Sequence, residues 1–327
     1  MRAGYRRLAA ICLIVAFIIL ALPASGGASG GDPLFCGERE EYLILKPGQL
    51  TRPDRDVQGL QTRLRELGYY HGVANGFYGP RTAPAVISFK QDHHLPADPT
   101  LDEDTWKALA QTYDDTPAAV PIGPAEVTVE INLQTRQLTV FSDGKKFRSF
   151  PVAIGADDST SPVGEWQVVK KSMWGEGFGS HWIELDVPWG TYGIHGTNKP
   201  WLIGQAISKG CIRMLNSHVE QVYKLVQPGT EIRITRKMPV FKNPPQLKKG
   251  MALRSVVYLQ LLLRNAGVYR DRADGRFDDS TELAVQVFER FYRLYPDGEA
   301  DPRVWNTLYS NHLKPDQPVL PFDPARV

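Results

Sequence analysis

Tyr192-Gly193-Ile194-His195-Gly196-Thr197, followed by Ser208-Lys209-Gly210-Cys211-Ile212-Arg213-Met214, is the stretch on which the reading of this sequence turns. It sets one histidine and one cysteine among Gly190, Gly193, Gly196, Gly204 and Gly210. A free cysteine is mostly thiol near neutral pH, with a pKa of about 8.5. An imidazole beside it titrates near the working pH, takes the proton and leaves a thiolate. The thiolate attacks a carbonyl, and the acyl-enzyme splits one hard step into two easier ones. The oxyanion formed on the way needs fixed N–H donors. Gly210 lets backbone amides come close to a substrate, and Ser208 adds a hydroxyl. Two other uses of these residues stay open. His195 and Cys211 also suit a plain buried core. His181, His195, Cys211 and His218 carry the atoms of a zinc site, but without the paired spacing such sites use.

Outward from this stretch the pattern is β. Val127, Val129 and Ile131 alternate with polar residues, and Leu138, Val140 and Phe141 follow. Asn132 to Arg136 reads as a hairpin loop and Asp143-Gly144 as a tight turn. Val152 and Ile154, Trp166 with Val168 and Val169, and Ile232 with Ile234 read as further strands, with one helix near Ser217 to Val226. Thr116 to Pro124 and Lys237 to Gln246 read as linkers bounding the region.

Beyond the linkers lies a repeat at an offset of 199. Gly68, Gly76, Thr82, Phe89 and Trp106 correspond to Gly267, Gly275, Thr281, Phe288 and Trp305; Val57, Leu60 and Leu64 correspond to Val256, Leu259 and Leu263. Each copy reads as three short helices. Val57, Leu60, Leu64 and Leu67 form one apolar stripe, and Gly68 ends that helix. The third helix is expected from Thr100, with Glu103 completing a capping box, and in the second copy from Asp301, with Pro302 in the first turn. Trp106, Trp305, Phe89 and Phe288 are expected in the cores.

The turns Asn75-Gly76-Phe77-Tyr78-Gly79-Pro80-Arg81-Thr82 and Asp274-Gly275-Arg276-Phe277-Asp278-Asp279-Ser280-Thr281, with the Leu-rich first helix and late Trp, resemble the peptidoglycan-binding-domain-like module. The I-H-G-T and S-K-G-C-I-R-M elements resemble the L,D-transpeptidase, or YkuD-like, catalytic domain, as do Ile154-Gly155 and Ser161-Pro162-Val163-Gly164-Glu165-Trp166. This second resemblance covers roughly 125–236. It implies a mainly-β sandwich with one or two helices and the cysteine in a cleft. It implies Cys211 as nucleophile, His195 as base and acid, and the Gly196 carbonyl as the group that orients the imidazole. The Gly210 and Cys211 amides would form the oxyanion hole, with Ser208 nearby, and Arg213 would position substrate or brace the loop. Lys209 stands where many members have His, which would alter local charge or acceptor preference. Trp174 and Trp182, among Gly175, Gly177 and Gly179, are expected in a flap over the cleft that touches substrate.

The expected order is therefore a signal peptide over 1–30, a helical module over 40–115, a linker over 116–124, a catalytic domain over 125–236, a linker over 237–246, a second helical module over 247–312 and a tail over 313–327. Arg2, Arg6 and Arg7, the apolar run Leu8 to Leu22 and the small residues after it read as an export signal, cleaved or kept as an anchor. Cys12 lies inside that run; Cys36 reads as an incidental thiol, and its alternative, a Cys36–Cys211 bridge, would block the chemistry. Ordinary globular composition over 327 residues, 42% hydrophobic and 23% charged, excludes a disordered or fibrous chain. A formal net charge of +2 without basic runs gives no reason to expect nucleic acid as a partner. The resemblance implies a monomeric, exported, cell-wall-associated enzyme without metal or organic cofactor. Its partners would be stem peptides and glycan strands, and penem or carbapenem lactams would acylate it. A hydrolase using the same residues (an L,D-carboxypeptidase) and a non-catalytic wall-binding protein are the alternatives.

Overall fold

Why the helical modules fold is visible in their caps. Helix α1, Arg55–Glu66, begins where the Asp54 carboxylate accepts from the Asp56 and Val57 amides. Gly68, at φ +87°, ends it: the Gly68 N–H donates to Arg65 and the Tyr69 N–H to Leu64, the paired bonds of a left-handed stop. Helix α2, Thr82–Asp92, holds Pro84 in its first turn, where no N–H is needed. Helix α3, Glu103–Gln111, is capped by Asp102, which accepts from the Thr105 amide, so the cap lies two residues beyond the expected Thr100. Val57, Leu60, Leu64, Phe89 and Trp106 are fully buried, whereas Leu67 is 37% exposed at the C-cap and leaves the stripe.

The computed structural model describes residues 41–113, 126–157, 160–173 and 179–312. The expected signal segment, the 116–124 linker, the 313–327 tail, Cys36 and Trp174 lie outside them. All described residues belong to one unit, Pro33–Val327. Among the described residues no helix is long and apolar enough to cross a membrane.

Among the described residues, ten strands form the middle of that unit: β1 Val127–Asn132, β2 Gln137–Ser142, β3 Lys145–Pro151, β4 Ile154–Gly155, β5 Gly164–Met173, β6 His181–Leu185, β7 Tyr192–His195, β8 Ala206–Ser208, β9 Ile212–Arg213 and β10 Glu231–Thr235. Eight pair in the order β3-β2-β1-β10-β5-β6-β7-β9; β4 and β8 make a separate parallel pair. Asn132 Oδ1 accepts from the Gln134 and Thr135 amides and shapes the first hairpin. Asp143 and Gly144, both at positive φ, form the two-residue second turn. Helix α4, Asn216–Leu225, follows β9. The second module carries α5 Arg254–Asn265, α6 Asp279–Phe291 and α7 Pro302–His312.

Both helical modules are docked on the β region. Trp201 and Leu202, from the segment joining β7 to β8, complete the core of the first module; the Trp201 ring lies 4.7 Å from that of Trp106. Lys199 reaches Asp56 at 2.7 Å, and the Trp201 indole N–H donates to the same carboxylate at 3.1 Å. Gly59 makes room: a Cβ there would sit 2.4 Å from the Trp201 ring. The second module is fixed by Arg264, whose guanidinium donates to both Glu165 oxygens at 2.6 and 2.8 Å, with the Ala273 N–H on the same carboxylate. The 237–246 segment joins this packing through Phe241, whose ring stands edge-on to Trp305 at 5.5 Å. Replacing Gly59 with alanine is therefore expected to cost on the order of 1–3 kcal/mol through overpacking. Thermal unfolding would show this as a fall of about 2–8 °C; an unchanged melting temperature would refute the docking.

The repeat also places opposite charges at one buried position. Lys90 is fully buried and ion-paired with Asp98 and Asp102 at 3.1 and 3.3 Å. Its counterpart Glu289 is 2% exposed and faces Asp297 and Asp301, accepting from the Gly298 N–H. Burial, with those two carboxylates adding to it, pushes the Glu289 carboxyl up to about 7. The folded state therefore holds this proton more tightly than the unfolded chain. Stability from this group is fully present below the ordinary carboxylate value near 4.5 and is lost as pH rises to about 7. The loss is on the order of 1–3 kcal/mol after solvent screening. Glu289→Gln is expected to flatten the fall in melting temperature between those two values; parallel pH profiles for variant and wild type would exclude the effect.

Candidate active site

His195 ends β7, and Cys211 directly precedes β9, the parallel neighbour of β7. In the β7–β9 register Ile194 faces Ile212 and His195 faces Arg213. Parallel partners in register point to one face, and so do residues two apart along a strand. The Met214 N–H donates to the His195 carbonyl at 2.8 Å and ties the two strands just past the histidine.

His195 is 1% exposed, and its Nδ1 lies 2.6 Å from the Gly196 carbonyl oxygen. A carbonyl only accepts, so Nδ1 carries the proton and donates. The neutral ring therefore has its basic lone pair at Nε2. The ring is backed by Trp182, its cross-strand partner on β6, at a centroid distance of 5.6 Å. Trp182 is 2% exposed and its ring lies across Gly193, where a Cβ would meet it at 2.7 Å. The flap expected of Trp182 is thus a core strand: the side chain is a wall behind the imidazole. Trp174, the other aromatic of that expectation, lies outside the described residues.

The cysteine loop is braced from within. Ser208 Oγ donates to the Cys211 carbonyl at 2.6 Å and accepts from the Gly210 N–H at 3.1 Å. Gly210 holds φ at +124°, where a side chain would be strained. The Gly210 N–H, expected to serve an oxyanion, is directed to Ser208 in this structure. Cys211 is 1% exposed, and its sulfur is disulfide-bonded rather than a thiol. Arg213 is half-buried and exchanges both backbone bonds with Ala153 at 2.9 Å, while Lys209 is exposed.

One residue that sequence reasoning missed holds the histidine turn together. Asn216, at the start of α4, accepts from the Ser180 N–H at 3.0 Å and donates to the Thr197 carbonyl at 3.1 Å. It thereby links the backbone before β6 to the backbone after His195. The packing there is close enough to exclude any Cβ: at Gly196 one would lie 2.2 Å from Asn216 Oδ1, and at Gly179 one would lie 2.2 Å from the Gly196 carbonyl carbon. The signal available in the sequence is the asparagine five residues after Cys211 at a helix start. Nearby, burial lowers the His181 imidazole below its ordinary value, so this ring stays neutral at neutral pH. Its backbone carbonyl accepts from the Gly196 N–H at 3.2 Å.

A family model described as the L,D-transpeptidase catalytic domain matches residues 126–234. One described as "Putative peptidoglycan binding domain" matches residues 53–109 and 254–308. The chain is 37% identical over 114 residues to the "Putative L,D-transpeptidase YkuD" of Bacillus subtilis (strain 168), spanning 35% of this chain and 67% of that protein. It is 35% identical over 129 residues to the "Putative L,D-transpeptidase YqjB" of the same strain, spanning 34% of this chain and 73% of that protein. Among solved structures, L,D-transpeptidase 3 from Mycobacterium tuberculosis, in complex with a faropenem-derived adduct, matches with a TM-score of 0.30 and 17% identity, over 34% of this chain and 60% of that one.

Proposed function

Because this chain belongs to the L,D-transpeptidase family and carries two peptidoglycan-binding domains, we propose that it cross-links peptidoglycan stem peptides through a thioester on reduced Cys211. The observation that carries this reading is the His195 ring, fixed through Nδ1 at 2.6 Å from the Gly196 carbonyl at the end of β7, the strand paired with β9, which begins directly after Cys211.

The steps follow from those positions. His195 Nε2 takes the Cys211 proton, and the thiolate attacks the carbonyl that joins the diamino acid of a donor tetrapeptide to its terminal D-alanine. The Cys211 N–H serves the oxyanion, while Ser208 keeps the loop from moving as charge develops. The imidazolium then gives its proton to the departing D-alanine amine, leaving a thioester. The side-chain amine of a second stem attacks that thioester, His195 removes a proton from it, and the amide cross-link leaves the sulfur. Arg213, on the same face as His195, binds a substrate carboxylate or braces the loop. The docked modules keep the enzyme on an insoluble substrate by raising local concentration. Export to the wall by the N-terminal segment, a monomeric state and covalent inhibition by penem and carbapenem lactams belong to the same reading.

Incubating reduced protein with disaccharide tetrapeptide and weighing the products tests it. A cross-linked dimer supports transpeptidation. Disaccharide tripeptide without dimer would replace it with L,D-carboxypeptidase activity, and unchanged substrate would leave a wall-binding protein.

A further inference from the structure

We propose that the cleft between the first helical module and the β region holds a peptidoglycan stem peptide, so that this module forms one side of the substrate site; the proposal rests on the function proposed above. Docking of the module leaves a cleft of about 560 Å³. That is the size of a ligand pocket, and it lies at a domain junction, where such pockets concentrate. One side is helix α1, which presents Gln58, Thr62 and Glu66 at spacings of four and so along a single face. The other side is largely apolar, with Pro151, Pro200, Ile203 and Leu215.

The polar groups of this cleft are mainly acceptors. Gln58 donates its amide N–H to the Ala74 carbonyl at 3.1 Å, and Gln205, which also lines the cleft, donates to the Trp201 carbonyl at 3.3 Å. What these two side chains offer a ligand is therefore chiefly Oε1. The Thr62 hydroxyl donates to the Gln58 carbonyl at 2.9 Å and keeps its oxygen as an acceptor. Glu66 is the one charged residue lining the cleft among the described residues. Its partner Arg63, at 2.9 Å, does not line it, being held over the Tyr113 ring at 4.3 Å and on the Thr112 hydroxyl at 2.9 Å. A fitting ligand has N–H groups and a positive charge on one side and small apolar groups on the other. A stem peptide has these in its backbone amides, its alanine methyls and the side-chain ammonium of its diamino acid. A sugar ring instead needs an open aromatic face: Trp201 is 5% exposed and packed on Trp106, and Arg63 covers one face of Tyr113.

The cleft borders the segment that carries Cys211 at both ends of that segment. Gln205 leads into β8, whose Ser208 hydroxyl donates to the Cys211 carbonyl at 2.6 Å. Leu215 precedes Asn216, which fastens the turn after His195. The chain from Gln205 to Ser208 spans at most about 11 Å, less than the roughly 14 Å of an extended tetrapeptide. A stem seated in the cleft therefore reaches the cysteine loop.

The experiment compares wild type with Thr62→Trp, which fills the cleft, and Glu66→Lys, which reverses its charge, all as reduced full chain. Each is given disaccharide tetrapeptide, free tetrapeptide and a carbapenem. Thr62→Trp is expected to raise KM for both peptides by about 10-fold or more with kcat kept, the mark of lost binding. Glu66→Lys should raise it about 5-fold at low salt and less at high salt. Carbapenem acylation draws on Cys211 and His195 without the cleft, and should stay within about twofold of wild type. Unchanged KM for both peptides in both variants would overturn the cleft site and leave the proposed function standing. A rise for disaccharide tetrapeptide alone would give the cleft to glycan and overturn the peptide assignment. Carbapenem acylation that falls in step with peptide turnover would show a disturbed cysteine loop and overturn it as well. Wild type that is acylated by carbapenem but turns over neither peptide would overturn the proposed function, and the cleft's ligand with it.

Discussion

Replacing Cys211 with alanine is expected to lower acyl transfer by reduced protein by a factor of at least about 10⁴, to the limit of detection. The argument is chemical: without the sulfur no covalent intermediate can form, and His195 has no nucleophile to activate. His195→Gln should lose about 10²–10⁴-fold, because the sulfur remains but its proton has no acceptor at neutral pH. The two variants should also differ in pH response. With glutamine at 195, residual acylation should climb as pH approaches the ordinary thiol value of about 8.5, where the thiolate forms unaided. The Cys211→Ala variant should stay flat at every pH. Reduced wild type is the reference for folding in both cases, since removing Cys211 also removes the disulfide. Steady-state transpeptidation and lactam acylation would check this, and activity in Cys211→Ala within tenfold of wild type would be incompatible with the mechanism.

Gly196→Ala is expected to reduce acylation about 100-fold while leaving the protein folded. The new Cβ would meet Asn216 Oδ1 at 2.2 Å and the Ser180 amide nitrogen at 2.9 Å. The backbone must move to relieve this contact, and the carbonyl that moves is the one holding His195 Nδ1 at 2.6 Å. Misplacing a catalytic group by about 1 Å is enough for a loss of that size. A structural fault alone would lower the melting temperature and scale all activity by the folded fraction. A lost orientation instead lowers the acylation rate constant of fully folded protein and shifts its pH profile, because the Nδ1 bond sets the basicity of Nε2. Stopped-flow acylation across pH separates the two.

The strands around the site were legible because one face is buried, and burial prints a period of two: Val129 and Ile131 alternate inward on β1, as do Leu138 and Val140 on β2. The helical repeats were legible through residues that only one backbone shape admits, Gly68 and Gly267 at the helix stops and Gly76 and Gly275 in the turns, all at positive φ. Trp182 was misread because β6 is buried on both faces, with four of its five residues in the core, so it shows no alternation, and the glycines before it suggest a loop. The bond from the Gly210 N–H to Ser208 was not legible, because nothing local in the sequence shows which acceptor a glycine amide takes. The docking of the modules is long-range and leaves only a faint trace: Gly59 stands inside a helix where the repeat has Tyr258, and the missing side chain is the space Trp201 fills. Asn216 carries no pattern of its own. Its role exists only once Ser180 and Thr197 have been brought to either side of it.

The most direct test of the central claim is the mass of reduced protein trapped during turnover of a disaccharide tetrapeptide donor in the absence of acceptor, followed by peptide sequencing of the adduct. The account predicts one acyl group, the donor less its terminal D-alanine, on the peptide carrying Cys211, labile to hydroxylamine as a thioester is. An adduct on any other residue, or product formation with Cys211 unmodified and alkylatable throughout, would contradict it.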